Sequence, residues 1–181
     1  MKKTAFTMIE LIIIIVVAGI LAAVMIPRLE TDSARDAANK MIRDIQYTQH
    51  LAMVNDVYDG TALWQAKRWN ILTTATPGYI IASTANVTGA NPTGAATDAA
   101  TKKLILGTTG NGGDMSEFGI TLITVSASCA GAPMAFDNLG APYRGAVKLA
   151  TPCIITITGS AKTAIISVQP ETGYAELVSV I

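Results

Sequence analysis

The sequence predicts an α+β chain in which a long N-terminal α-helix packs on a C-terminal antiparallel β-sheet. Three observations carry that expectation. An almost unbroken apolar run extends from Phe6 to Ile26, apolar residues recur at helical spacing from Ala34 to Ala52, and beyond Asp56 short β-branched runs alternate with Gly, Pro, Asn and Thr.

The apolar run comes first. Of its 21 positions only Thr7 and Glu10 are clearly polar. As a helix it would extend about 31 Å at roughly 1.5 Å per residue, enough for a bilayer. Lys2 and Lys3 precede it, so the positive-inside rule puts the short N-terminus in the cytoplasm and the body of the chain outside. A secretory signal cut near Val24 competes with this reading. Leu21 fits poorly at the third position before such a cut, and Glu10 would be an oddity in a discarded segment. A carboxylate at membrane depth costs about 3 kcal/mol and calls for a partner.

The helical pattern then continues. Pro27 interrupts it, yet Ala34, Ala38, Met41, Ile45, Thr48 and Ala52 recur at intervals of four and three, with Arg35, Asp36, Lys40, Arg43 and Asp44 between them. The expected organisation is a leader at 1–5, a transmembrane or filament-core helix at 6–27, its amphipathic continuation at 28–56 and a β-rich globular domain at 57–181.

Lys2-Lys3, then Phe6-Thr7-Met8-Ile9-Glu10-Leu11, then the apolar stretch with Gly19-Ile20-Leu21-Ala22-Ala23 and Pro27, resembles the leader and N-terminal helix of type IV pilins and type II secretion pseudopilins. The resemblance implies a pilin-like fold and cleavage by a prepilin peptidase between Ala5 and Phe6, followed by N-methylation of Phe6. Ala5 departs from the family, which usually has Gly there; alanine is small enough to leave the bond accessible. Glu10 would pair with the amine of Phe6 on a neighbouring subunit, an interaction that favours register because either charge alone is penalised in a low-dielectric bundle. The competing reading is that Glu10 snorkels to the headgroups. Pro27 would loosen the helix during assembly, or simply kink it. The implied localisation is single-pass in the inner membrane with a periplasmic C-terminal domain, then a pilus or pseudopilus. The implied partners are other pilin or pseudopilin subunits, the prepilin peptidase and an inner-membrane assembly platform.

In the remainder, strands are expected at 68–72, 78–83, 103–106, 120–126, 134–136, 153–158, 163–168 and 174–180. The clearest alternation is Ile155-Thr156-Ile157-Thr158. Gly159-Ser160 and Glu171-Thr172-Gly173 supply turns on either side of 163–168, giving a C-terminal meander. Residues 84–101 are poor in large apolar side chains and read as an exposed loop. Trp64, Trp69, Tyr79 and Phe136 read as core or rim residues rather than a stacking platform.

Cys129 and Cys153 are the only cysteines. Outside the cytoplasm an isolated pair reads as a disulfide, with two buried free thiols as the alternative. C-terminal disulfides recur in the pilin family. Phe136-Asp137-Asn138-Leu139-Gly140-Ala141-Pro142, with Ile165-Ile166-Ser167-Val168 and Thr172-Gly173-Tyr174, looks like the minor pseudopilins and minor pilins of the GspH/FimT type. Some proteins of that type bind DNA through a basic C-terminal segment, which makes a DNA-uptake pilin the alternative function. This chain ends Tyr174-Ala175-Glu176-Leu177-Val178-Ser179-Val180-Ile181 without a Lys or Arg, and its formal net charge is zero, so both argue against nucleic acid. Lys67-Arg68, Lys102-Lys103, Arg144, Lys148 and Lys162 are the residues that would have to cluster.

Nothing points to catalysis. His50 is the only histidine, and no nucleophile set, zinc spacing or phosphate loop stands out, so no enzyme activity, cofactor or metal is expected. Gly110-Asn111-Gly112-Gly113-Asp114 with Glu117 has too few carboxylates for calcium. Asn86-Val87-Thr88 matches a glycosylation sequon but is weak evidence by itself.

Overall fold

A computed structural model describes residues 7–29, 33–55, 68–74, 77–83 and 94–181. Among the described residues there are two α-helices of 22 residues each, α1 (Met8–Leu29) and α2 (Ser33–Val54), and one short 3-10 turn at Ser116–Phe118. This corrects the expected pilin-like architecture with one long N-terminal helix. Pro27, in the last turn of α1, cannot donate to the helical ladder, and Thr31, Asp32 and Ser33 are residue types that favour the start of a helix over its middle, so the local sequence favours two helices over one. The chain divides into two compact units, Met1–Ser33 and Ala34–Ile181.

The expected single-pass membrane anchorage, with a periplasmic C-terminal domain, is likewise overturned. Among the described residues no helix is long and apolar enough to cross a membrane. Glu10 lies in the first turn of α1 and Pro27-Arg28 in its last, which leaves 16 uncharged positions from Leu11 to Ile26. Those would extend about 24 Å, against a hydrocarbon core of about 30 Å.

The second unit is built on α2. Ala34, Ala37, Ala38, Met41, Ile45, Thr48 and Ala52 are buried and form one stripe, because residues three and four apart share a helix face. That stripe joins a core containing Ile71, Tyr79, Ile81, Phe136, Ile155, Ile157, Ile166 and Val168. Ala34, Ala37 and Ala38 at the start of α2 are small and fully buried. Met41 and Ile45 fill the deeper space.

Among the described residues the strands form two antiparallel sheets rather than the single one expected. The first runs β2 (Tyr79–Ala82), β1 (Asn70–Thr73), β4 (Met134–Phe136), β5 (Pro142–Arg144), β6 (Val147–Lys148). The second runs β3 (Ile120–Val125), β7 (Cys153–Gly159), β8 (Thr163–Val168), β9 (Ala175–Val180). In β7 the alternation is realised directly: Cys153, Ile155 and Ile157 are buried, while Ile154, Thr156 and Thr158 are half-buried. The partner β8 keeps register from Cys153 opposite Val168 to Thr158 opposite Thr163, closed by Gly159 N–H donating to the Lys162 carbonyl at 2.8 Å. β9 completes the meander, with an irregularity between Ile165 and Ile166.

Two short strands, β5 and β6, escape the sequence reading: β5 opens on Pro142, a residue type depleted in strands, and β6 has only two residues. In the stretch expected at 103–106, Leu104 makes an isolated bridge to Thr97 and Ile105 and Leu106 are buried. The described end of the expected exposed loop is partly internal. Ala96 is buried, its N–H donating to Ile81 O at 2.8 Å and its carbonyl accepting from Ile105 N–H at 2.7 Å. The leader, Trp64, Lys67 and the Asn86 sequon lie outside the described residues.

Candidate functional site

Helix α1 is the first candidate. Met8, Ile9, Leu11, Ile12, Ile13, Ile14, Ile15, Val16, Val17, Ile20 and Leu21 are all exposed, so the apolar residues surround the helix rather than forming one stripe. Glu10 stands in its first turn, exposed, with its own N–H donating to Thr7 O at 3.1 Å. A carboxylate there complements the positive end of the helix dipole. Among the described residues no ion pair engages it. Pro27 lies within α1, two positions before its end at Leu29. Ala5 and Phe6, the expected cleavage and methylation positions, lie outside the described residues.

Cys129 and Cys153 form a disulfide with their Cα atoms 5.6 Å apart. It ties the turn after β3 to the first residue of β7, and Ser126 supports the turn: its hydroxyl accepts from Ile154 N–H at 3.0 Å. Beside the disulfide lies a cleft of about 300 Å³ between the two sheets. Met41 of α2, Ile71 and Leu72 of β1, Met134 of β4, Val125 of β3 and Ile155 of β7 line it. Thr73 contributes the one hydroxyl, so the cleft can take apolar matter but presents nothing that would activate a substrate.

A polar cluster joins α2 to β2. The hydroxyl of Tyr79 donates to Asp44, and Lys40 Nζ lies 3.0 Å from Asp44 Oδ2 and 3.2 Å from the Tyr79 oxygen. Burial, reinforced by the Asp44 charge and its hydrogen bond, holds the Tyr79 pKa well above its ordinary value. Tyr79 therefore stays protonated at neutral pH and serves as a donor, not a base. His50 is exposed on α2.

The glycine-rich segment considered for calcium is closed on itself. Asp114 Oδ2 accepts from Gly110 N–H at 2.9 Å, and Oδ1 accepts from Ser116 N–H at 2.9 Å and from its hydroxyl at 2.6 Å. Burial opposes the charged form of Asp114, but these bonds outweigh it and hold the carboxyl below its ordinary range. Among the described residues no three His, Cys, Asp or Glu gather as a metal-ligand group.

Three of the basic residues named from the sequence have separate engagements. Arg68 is buried and donates to Phe136 O at 3.3 Å, Arg144 donates to Ala127 O at 3.0 Å, and Lys148 pairs with Glu171 at 2.7 Å.

What sequence reasoning missed is a clasp between the sheets. Gln49 of α2 donates through Nε2 to Gly140 O at 2.9 Å and to Thr172 O at 2.7 Å. Gly140 belongs to the β4–β5 turn, where Asp137 Oδ1 accepts from Leu139 and Ala141 N–H at 2.9 and 2.8 Å. The turn at Glu171-Thr172-Gly173 was legible, but nothing local to it or to Gly140 marks Gln49 as their common partner.

Fold and site together define an α+β domain of two antiparallel sheets on one amphipathic helix, in a chain that also carries an exposed apolar helix. No family model, no curated protein and no solved structure matches this chain.

Proposed function

We propose that the chain is a structural subunit, a pilin or pseudopilin of the minor type, of a type IV pilus or type II secretion filament. Its activity is assembly rather than catalysis. One observation carries the reading: α1 exposes aliphatic side chains on all sides, from Ile9 to Leu21, and such a surface demands cover from other apolar matter. The Lys2 to Leu11 motif supports it further and brings processing between Ala5 and Phe6, N-methylation of Phe6, the prepilin peptidase and an assembly platform into the proposal. Within it, Glu10 selects register by meeting the terminal amine of a neighbour. The DNA-uptake alternative draws no support from Arg68, Arg144 or Lys148, whose engagements are all within the domain.

The test compares the full chain with a variant lacking residues 8–29, each co-expressed with a pilus or type II secretion assembly system. Sheared filaments are collected and probed with an antibody to the domain. The full chain is expected in the filament fraction and the truncated chain outside it. Equal recovery of both, or absence of the full chain from every filament, would overturn the reading.

A further inference from the structure

We draw no further inference here: the strongest candidate, the apolar cleft between the two sheets floored by Met41 and bordered by the Cys129–Cys153 disulfide, is an unpartnered apolar surface, and nothing in the structure shows what covers it.

Discussion

The side-chain amide of Gln49 donates to the carbonyl of Thr172 at 2.7 Å, and the same nitrogen reaches Gly140 O at 2.9 Å. One residue of α2 thereby holds a turn from each sheet. Replacing it with alanine leaves both carbonyls without this donor, and Gly140 is buried. Gln49→Ala is expected to lower stability by about 1–3 kcal/mol, measured by urea unfolding. A change within about 0.5 kcal/mol, the range of an ordinary surface substitution, would show that the clasp contributes nothing.

Gly173 makes that clasp possible. Its φ is +66°, and a Cβ there would stand 2.3 Å from Gly140 O, 2.8 Å from Gln49 Nε2 and 3.0 Å from Phe136 Cε1. Backbone strain and a collision with backbone act together, so Gly173→Ala is expected to cost about 2–4 kcal/mol. Because Gln49 and Gly173 touch, the double variant should lose less than the sum of the two single losses. Strict additivity in a double-mutant cycle would count against a shared site.

Tyr79 predicts an alkaline limit to stability. Its pKa is raised in the folded state, chiefly by burial and then by Asp44, so its contribution is fully present below about pH 10, the unfolded value. That contribution is lost as pH rises from there through the folded pKa, where keeping Tyr79 neutral favours unfolding. Tyr79→Phe should flatten the fall in stability above about pH 10, followed by circular dichroism with tyrosinate absorbance. An unchanged alkaline limb would remove Tyr79 as its cause. Asp114 has the opposite sign. Its carboxyl is held low, so its contribution is present above about pH 4 and is lost on acidification.

The disulfide closes a loop between positions 129 and 153. On the chain-entropy model it stabilises the second unit by roughly 3.5 kcal/mol. The paired replacement Cys129→Ser with Cys153→Ser should show a loss of that order, and reductant should have no effect on the variant. An equally large reductant effect on both proteins would mean that the cross-link is not responsible.

Glu10→Ala tests the assembly reading at one residue. Glu10 belongs to the first compact unit, so the unfolding transition of the second unit is expected to stay where it is. Filament incorporation is expected to fall at least tenfold, scored by electron microscopy and immunoblotting of sheared filaments, the equivalent of about 1.4 kcal/mol per decade. Normal incorporation would refute the proposed charge pairing while leaving the truncation experiment to judge the helix itself.

Much of the second unit was readable before any coordinates. The stripe from Ala34 to Ala52, the alternation of Ile155 and Ile157, the turns at Gly159 and Gly173 and the pairing of Cys129 with Cys153 all reappear. Each is written by residues close in sequence, or in the cysteine pair by chemistry with only one possible partner. Periodicity and turn chemistry depend on local backbone geometry, which a sequence states directly.

The tertiary structure decided the rest. It divided the expected long helix into α1 and α2, removed the membrane span, and sorted the strands into two sheets. It buried Arg68 against Phe136 O, drew Ala96 into the interior, and brought Gln49 to two turns 91 and 123 positions away. The helix division and the shortened apolar run follow from residues near Pro27 and Glu10. The sorting of strands, the burial of Arg68 and Ala96 and the reach of Gln49 depend instead on which distant groups satisfy one another's hydrogen bonds and exclude water together. No window of sequence contains both partners, so local pattern could name the pieces but not their pairing.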